Sequence, residues 1–170
     1  ILALALAPAF NPNAFDDVKK PLWRNRAITD PFEPGSTLKV FSAAAALEFA
    51  NLSPKTTFNC ENGAYRIGKN TVHDVHRYGV LSLQDIIKYS SNIGAVKIGE
   101  RVGAEKLHHT LRLFGFGQKT GIDSPAETSG LLMHHKRWTD IDTAAISFGH
   151  GVSVSAVQLI AAFSAIANDG

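Results

Sequence analysis

The chain is short of cysteine: Cys60 is the only one among 170 residues. A disulfide within the chain is therefore excluded, and we expect Cys60 to be a small buried hydrophobic residue. The charge excess is also small, at +2, and the lysines and arginines are scattered, which excludes the basic surface typical of a nucleic-acid-binding protein. No run reaches the roughly 20 apolar residues that a membrane-spanning helix needs.

Metal-ligand spacings are lacking as well, although the chain has seven histidines. None of the neighbouring histidines forms an HExxH pattern or the Cys/His spacing of a zinc site, so we expect no metal. His150 lies between Gly149 and Gly151, where small neighbours would let the backbone approach a ligand closely. The simpler interpretation of this stretch is a bare turn.

What the chain does have is an ordinary globular composition, with 45% hydrophobic and 19% charged residues. Such a chain can bury a core, and one domain is the default expectation. The first residue is not Met, and Gly170 follows a predicted helix without a closing element. We therefore expect residues 1–170 to be part of a longer domain, truncated at both ends.

Apolar spacing and turn residues predict an α-rich fold with a few short strands. Residues 2–7 suit a strand, and residues 56–78 suit irregular or short-stranded structure. Ser82 is expected to cap a helix, with Asp85 in the capping-box position. The predicted helices, with approximate bounds, are 36–51, 82–89, 92–102, 104–114, a short one within 139–147, and 155–168.

Ser36 and Lys39 are the first candidate functional residues, because they stand three positions apart where PGSTLK enters a predicted helix. This spacing puts both on one helix face, where a lysine can take the proton of a serine and make it a nucleophile. Lys39 must then be neutral, which requires burial or cationic neighbours. The small side chains of residues 43–46 favour burial. The alternative is that Ser36 caps the helix and Lys39 lies in solvent.

A second candidate group is Ser90-Ser91-Asn92, at the corner between two predicted helices. Ser90 could relay a proton and Asn92 could hydrogen-bond a substrate amide. The alternative is that Ser90 ends one helix and Asn92 caps the next. An SxxK motif followed about fifty residues later by SxN is the order found in penicilloyl transferases and β-lactamases with an active-site serine.

Longer stretches extend this match: RNRAITDPFEPGSTLKVFSAAAALE, YGVLSLQDIIKYSSNIGAVKIGERVG, LRLFGFGQKTGIDSPAE and KRWTDIDTAAISFGHGVSVSAVQLIAAFSAIANDG. They closely resemble successive segments of the transpeptidase domains of class B penicillin-binding proteins. RWTDID and SFGHGVSVSAVQL most resemble the division-specific branch, which makes septal peptidoglycan. The resemblance implies the α-rich part of the α/β fold shared with serine β-lactamases. It implies no metal or organic cofactor, and a membrane anchor N-terminal to a domain that faces the cell wall.

The resemblance also implies a role for each candidate residue. Ser36 would attack the carbonyl of a D-Ala-D-Ala stem peptide, Lys39 would activate Ser36, Ser90 would pass the proton to the leaving amine, and Asn92 would orient the peptide. The implied partners are peptidoglycan stem peptides, β-lactams that trap Ser36, and division proteins of the membrane. A β-lactamase or β-lactam sensor of the same fold and a non-catalytic scaffold module remain alternatives.

Lys119-Thr120-Gly121 matches the letters of the family's third motif, Lys-Thr/Ser-Gly on a strand beside the nucleophile. Here the three residues lie in FGFGQKTGIDSPAE, which lacks the alternating apolar residues of a strand. We therefore predict that Lys119 is a surface-loop residue and that the working motif follows the last helix. The 170 residues would then hold the nucleophile half of a site without its opposite wall.

Overall fold

The computed structural model describes residues 1, 3–9, 11, 13, 14 and 23–168. Within them the fold is rich in helix, as the sequence predicts, with a few short strands. A 3-10 turn, Gly35–Leu38, leads directly into the second helix. The helices are α1 (Arg26–Thr29), α2 (Lys39–Phe49), α3 (Leu83–Tyr89), α4 (Asn92–Val102), α5 (Ala104–Leu113), α6 (Asp140–Ser147) and α7 (Ala156–Ala167), and the strands are β1 (Thr57–Asn59), β2 (Ala64–Ile67), β3 (Asn70–His73) and β4 (Val80–Ser82).

The four strands form two separate antiparallel pairs. Strand β1 pairs with β4, with Thr57 opposite Ser82, and this pair encloses the hairpin of β2 and β3. The predicted short-stranded character of residues 56–78 is confirmed. Because β4 runs straight into α3, the β1–β4 pair fixes where α3 begins, and Ser82 caps α3 by accepting the Asp85 N–H, as predicted.

Helices α2 and α4 lie at the centre of the molecule. Phe41 of α2 is fully buried and makes edge-to-face contacts with Phe114, Phe116 and Phe163, at ring-centroid distances of 4.8, 5.0 and 5.1 Å. Cys60 is fully buried, which confirms the expectation from the sequence. The aromatic cluster ties α2 to α5 and α7 and so fixes the depth at which α2 sits.

Small residues set the distance between α4 and its neighbours. A Cβ on Gly99 would overlap the Ser147 hydroxyl of α6, and a Cβ on Gly94 would meet the Ile86 side chain of α3. Ser42 of α2 donates a hydrogen bond to the Ser147 carbonyl at 2.9 Å. The close approach of α2, α4 and α6 therefore depends on residues without bulky side chains.

The predicted strand at residues 2–7 is wrong for the part that the structure describes. Residue 2 lies outside the described residues, and residues 3–7 pair with none of the described strands. Instead, Ala3 and Leu4 lie beside the outer face of α7, near Ile160. Helix α1 is absent from the sequence prediction because four residues are too few to show a helical period.

Candidate active site

Ser36 lies in the 3-10 turn that precedes α2, immediately after Gly35, whose backbone is left-handed at φ +55°. Its side chain is exposed. Neither the turn nor α2 has a side-chain cap, so the interpretation of Ser36 as a capping residue is wrong. Its hydroxyl makes no hydrogen bond with any of the described residues, which leaves it open to an incoming group.

Lys39, in the first turn of α2, is only 2% exposed. Its Nζ donates to the Ser90 carbonyl at 2.6 Å, to the Ser90 hydroxyl at 3.0 Å and to Asn92 Oδ1 at 2.8 Å. These acceptors occupy all three N–H groups of an ammonium. The alternative of a solvated Lys39 is therefore wrong, and the two motifs of the sequence meet at this side chain.

Burial changes the acid–base behaviour of Lys39. It lowers the pKa of the ammonium from 10.5 to about 8, against the Asp74 carboxylate, whose negative charge acts in the opposite direction. A lysine with a pKa near 8 is partly neutral around neutral pH, and its lone pair can then accept a proton. Burial thus supplies the condition that a basic role requires, without a cationic neighbour.

The corner between α3 and α4 presents Ser90 to Lys39. Ser90 ends α3 in the left-handed conformation, at φ 58° and ψ 39°, which is unfavourable for a residue other than glycine. Ser91 caps α4, because its hydroxyl accepts the Gly94 N–H at 2.8 Å. The alternative is therefore right that Ser90 ends a helix but wrong that Asn92 is the cap.

Asn92 is the first residue of α4, and its side chain is held at both ends. Oδ1 accepts from Lys39, and Nδ2 donates to the His73 carbonyl at 3.0 Å. One amide N–H and one oxygen lone pair remain after these contacts. The amide is thus fixed in orientation and still able to bind a further group.

Asp74, directly after β3, binds the first residues of the corner between α3 and α4. It was not identified from the sequence. Its carboxylate accepts the Ser91 hydroxyl at 2.6 Å, the Ile93 N–H at 3.0 Å and the Asn92 N–H. The first N–H groups of a helix need acceptors, so a carboxylate here is physically reasonable. No spacing rule links it to a helix that begins so far along the chain.

A turn at residues 149–151 supports the nucleophile turn from the other side. Glu33 accepts the Gly151 N–H at 2.9 Å and contacts His150 Nδ1 at 2.9 Å. The Gly35 N–H donates to the Gly149 carbonyl at 3.0 Å, and a Cβ on Gly149 would overlap the Gly35 carbonyl. The glycines beside His150 therefore let this backbone lie against the turn that holds Ser36.

The loop prediction for Lys119-Thr120-Gly121 is confirmed. These residues form no strand, and Lys119 is exposed. The Glu127 carboxylate accepts the Thr120 N–H at 2.7 Å, the Thr120 hydroxyl and the Gly121 N–H at 3.3 Å. The polar groups of this tripeptide thus stabilise their own loop.

Three histidine rings lie together on the surface: His108 of α5 is 5.2 Å from His134 and 5.4 Å from His135, measured between ring centroids. Burial, and then the charges of the other two histidines, lower the pKa of His108. Across the described ranges, no group of three or more His, Cys, Asp or Glu side chains is arranged to hold a metal ion.

Known proteins resemble this chain over its whole length. A family model described as the penicillin binding protein transpeptidase domain matches residues 1–170. The chain is 38% identical to the probable peptidoglycan D,D-transpeptidase PbpC of Pseudomonas aeruginosa and 36% identical to the peptidoglycan D,D-transpeptidase FtsI of Escherichia coli, over all 170 residues in both cases. It spans 30% and 29% of the lengths of these two relatives.

Solved structures agree with the sequence relatives. The apo structure of the TP domain from Burkholderia pseudomallei penicillin-binding protein 3 superposes with a TM-score of 0.84 at 37% identity. That match covers 86% of this chain and 44% of the other. The α-rich fragment of a transpeptidase fold, expected from the sequence, is thereby confirmed.

The protonation of Lys39 gives the first prediction. In protein labelled with ¹³C-lysine, we expect the Lys39 Cε resonance to titrate with a midpoint near pH 8, because burial disfavours the ammonium. In urea, where the chain is unfolded, the pKa of Lys39 should return toward the ordinary lysine value of about 10.4. A midpoint in the folded protein as high as in urea would contradict this description of the site.

The contact between Gly149 and Gly35 gives the second prediction. Gly149→Ala should destabilise the fold by about 1–3 kcal/mol more than Gly121→Ala, because only the first substitution forces a Cβ into neighbouring backbone. Gly121 is a matched control, since its φ is also positive at +80° and, apart from its two neighbours in the chain, none of the described residues has an atom within 4 Å of the place that a Cβ would take. Urea unfolding measures the difference, and the Ser36 amide shift should change only in Gly149→Ala. Equal costs for the two variants would show that this contact is unimportant.

Proposed function

The chain belongs to the family of penicillin-binding protein transpeptidase domains, and on that premise we propose that it carries the nucleophile half of a serine D,D-transpeptidase site. The single observation that carries the proposal is the buried Lys39 amine, held by Ser90 and Asn92 three residues after an exposed serine with no hydrogen-bond partner among the described residues. The arrangement supplies a base and a proton relay in one hydrogen-bonded group, and an exposed nucleophile three residues before the base.

In the first step, Ser36 attacks the carbonyl carbon between the two terminal D-alanines of a stem peptide. A charged Lys39 uses all three N–H groups on its acceptors, whereas a neutral amine has only two N–H groups and one lone pair. Loss of one proton therefore frees one contact and makes the lone pair available to the Ser36 hydroxyl. The N-terminal end of α2 favours the negative charge that develops beside Ser36.

In the second step, the tetrahedral intermediate collapses and the terminal D-alanine leaves. Its amine needs a proton, and the Ser90 hydroxyl, 3.0 Å from the Lys39 amine, can pass one on from Lys39. Asn92 uses its remaining amide groups to orient the peptide backbone. The product of this step is an ester between Ser36 and the stem peptide.

In the third step, the amino group of a neighbouring stem peptide attacks the ester carbonyl and loses a proton, the bond between the acyl carbon and Ser36 Oγ breaks, and Ser36 Oγ takes up a proton. The products are the amide cross-link and the free Ser36 hydroxyl. β-Lactams resemble the D-Ala-D-Ala unit and would acylate Ser36 in the same way, but leave a stable ester. The Ser36 N–H is one donor to the oxyanion, and the second would come from a Lys-Thr/Ser-Gly strand later in a longer domain.

The biological setting belongs to the proposal as well. We propose that residues 1–170 form part of a longer transpeptidase domain of the division-specific branch. The domain would face the cell wall from the outer side of the cytoplasmic membrane and work with division proteins of that membrane. Its identity to FtsI of Escherichia coli supports this branch. In the described part of the chain, no helix is both long and apolar enough to cross a bilayer.

Covalent labelling tests the proposed nucleophile. In the longer protein, penicillin should add one molecule per chain, and peptide mapping by mass spectrometry should locate it on Ser36. Ser36→Ala should abolish the adduct, whereas the control Ser53→Ala, in an exposed loop serine, should leave it unchanged. Absence of an adduct would favour a scaffold module, and rapid nitrocefin turnover would favour a β-lactamase.

A polypeptide of residues 1–170 alone should label slowly. Loss of one oxyanion donor typically reduces the rate by about 10²- to 10³-fold, and the described residues offer no strand beside Ser36 to supply the second donor. Comparing the time course of penicillin labelling in this polypeptide with that of the longer protein measures the effect. Rapid stoichiometric labelling of the 170 residues would show that the site needs no opposite wall.

A further inference from the structure

The Asp74 carboxylate accepts three hydrogen bonds from the corner between α3 and α4. Each of its acceptor interactions goes to a consecutive residue of the corner: the Ser91 hydroxyl, the Asn92 N–H and the Ile93 N–H. The Asn92 side chain is also held by the carbonyl of the residue before Asp74, His73. The last residue of β3 and the residue that follows it therefore fix both the side chain and the backbone of Asn92.

The corner needs such support because of its backbone. Ser90 is left-handed, a conformation that costs roughly 1–2 kcal/mol for a residue with a Cβ, and it persists only if its surroundings hold it. Two of the acceptors for the Lys39 amine belong to Ser90. If the start of α4 moves, the carbonyl and the hydroxyl that receive Lys39 move with it.

The charge of Asp74 also acts on Lys39. The other partners of the amine, Ser90 and Asn92, are neutral, and Asp74 is the charged side chain that favours the ammonium. Cys60 also contacts the Ser91 hydroxyl, at 3.5 Å, but burial raises the pKa of its thiol, which stays neutral. Within the described part of the site, Asp74 is thus the acidic group that opposes the effect of burial on Lys39.

We propose that Asp74 is a positioning residue of the site, which holds the Ser90–Asn92 corner in place through its hydrogen bonds and whose negative charge favours the ammonium form of Lys39. Its effect on acylation rests on the function proposed for Ser36. Its effects on the corner and on Lys39 do not, and they can be measured without substrate.

NMR of Asp74→Asn tests the inference directly. The substitution keeps the size of the side chain but removes the charge and one acceptor oxygen. We expect the Lys39 titration midpoint to fall below that of the unmodified protein, because the ammonium loses its anionic neighbour. We expect hydrogen exchange of the Asn92 and Ile93 amides to become about tenfold faster, because their acceptor is weaker.

Asp142→Asn is a matched control. Like Asp74, Asp142 accepts hydrogen bonds from groups at the start of a helix: it lies in the first turn of α6, where its carboxylate accepts the Thr139 N–H at 2.8 Å and the Thr139 hydroxyl at 2.6 Å. It should change neither the Lys39 midpoint nor the exchange of the Asn92 amide. The inference is overturned if Asp74→Asn leaves both quantities unmoved, or if Asp142→Asn moves them equally.

Asp74→Glu separates geometry from charge and decides the question if Asp74→Asn does not fold. It retains the negative charge on a longer side chain, so the exchange of Asn92 and Ile93 should still accelerate while the Lys39 midpoint stays closer to that of the unmodified protein. Exchange as slow as in the unmodified protein would overturn the positioning role.

Penicillin labelling of the longer protein then measures the consequence for Ser36. At a pH above the Lys39 midpoints of both proteins, where the amine is neutral in each, Asp74→Asn should reduce the acylation rate by about 10- to 100-fold, because misplacing a reacting group by about 1 Å costs up to this much. A rate unchanged in Asp74→Asn would overturn the inference. A longer protein that never labels would overturn the proposed function instead, and the NMR result would still decide the role of Asp74.

Discussion

The hydrogen bonds from the buried Lys39 amine to Ser90 and Asn92 join the two segments of the site, residues 36–39 and residues 90–92. A lysine with 2% exposure must find acceptors for its N–H groups, because an unpaired buried ammonium is very costly. The corner between α3 and α4 supplies those acceptors at 2.6 to 3.0 Å. This one group of contacts brings segments far apart in the chain together, and the burial of the amine at that place lowers the pKa of Lys39.

The rest of the fold holds these two segments at the required distance. Aromatic packing around Phe41 fixes α2, and the close approach at Gly99 lets α4 and α6 pack tightly. The turn at residues 149–151 lies against Gly35 and supports the backbone that carries Ser36. The rigid part of the site thus consists of Lys39 and the corner, whereas the Ser36 hydroxyl lies exposed beside them.

Patterns of neighbouring residues correctly predicted the helices and loops whose structure depends mainly on nearby residues. The helices around Lys39 and Asn92 follow from apolar spacing and from polar caps, and the loop at Lys119 follows from its lack of alternation. The start of α4 at Asn92 was predicted correctly, but the alternative in which Asn92 caps that helix is wrong, since the neighbouring Ser91 is the cap. The first turn before α2 is also a 3-10 turn, a distinction that composition does not reveal.

Long-range contacts account for what the sequence could not predict. Asp74 and the Glu33–His150 pair owe their roles to segments that meet only after folding, and no spacing within the chain indicates either partner. The error at residues 3–7 has the same origin, because a short apolar segment becomes a strand only where it pairs with another strand, and its own sequence names no partner. Each of these features depends on the tertiary arrangement of the elements.

The central claim is that neutral Lys39 activates Ser36, and the pH dependence of acylation tests it most directly. In the longer protein, the rate of penicillin acylation at Ser36 should rise with pH through a midpoint near 8, the same midpoint that we expect for the loss of the Lys39 proton in the NMR titration. A rate that stays flat between about pH 6.5 and 9 while Lys39 titrates would contradict the claim.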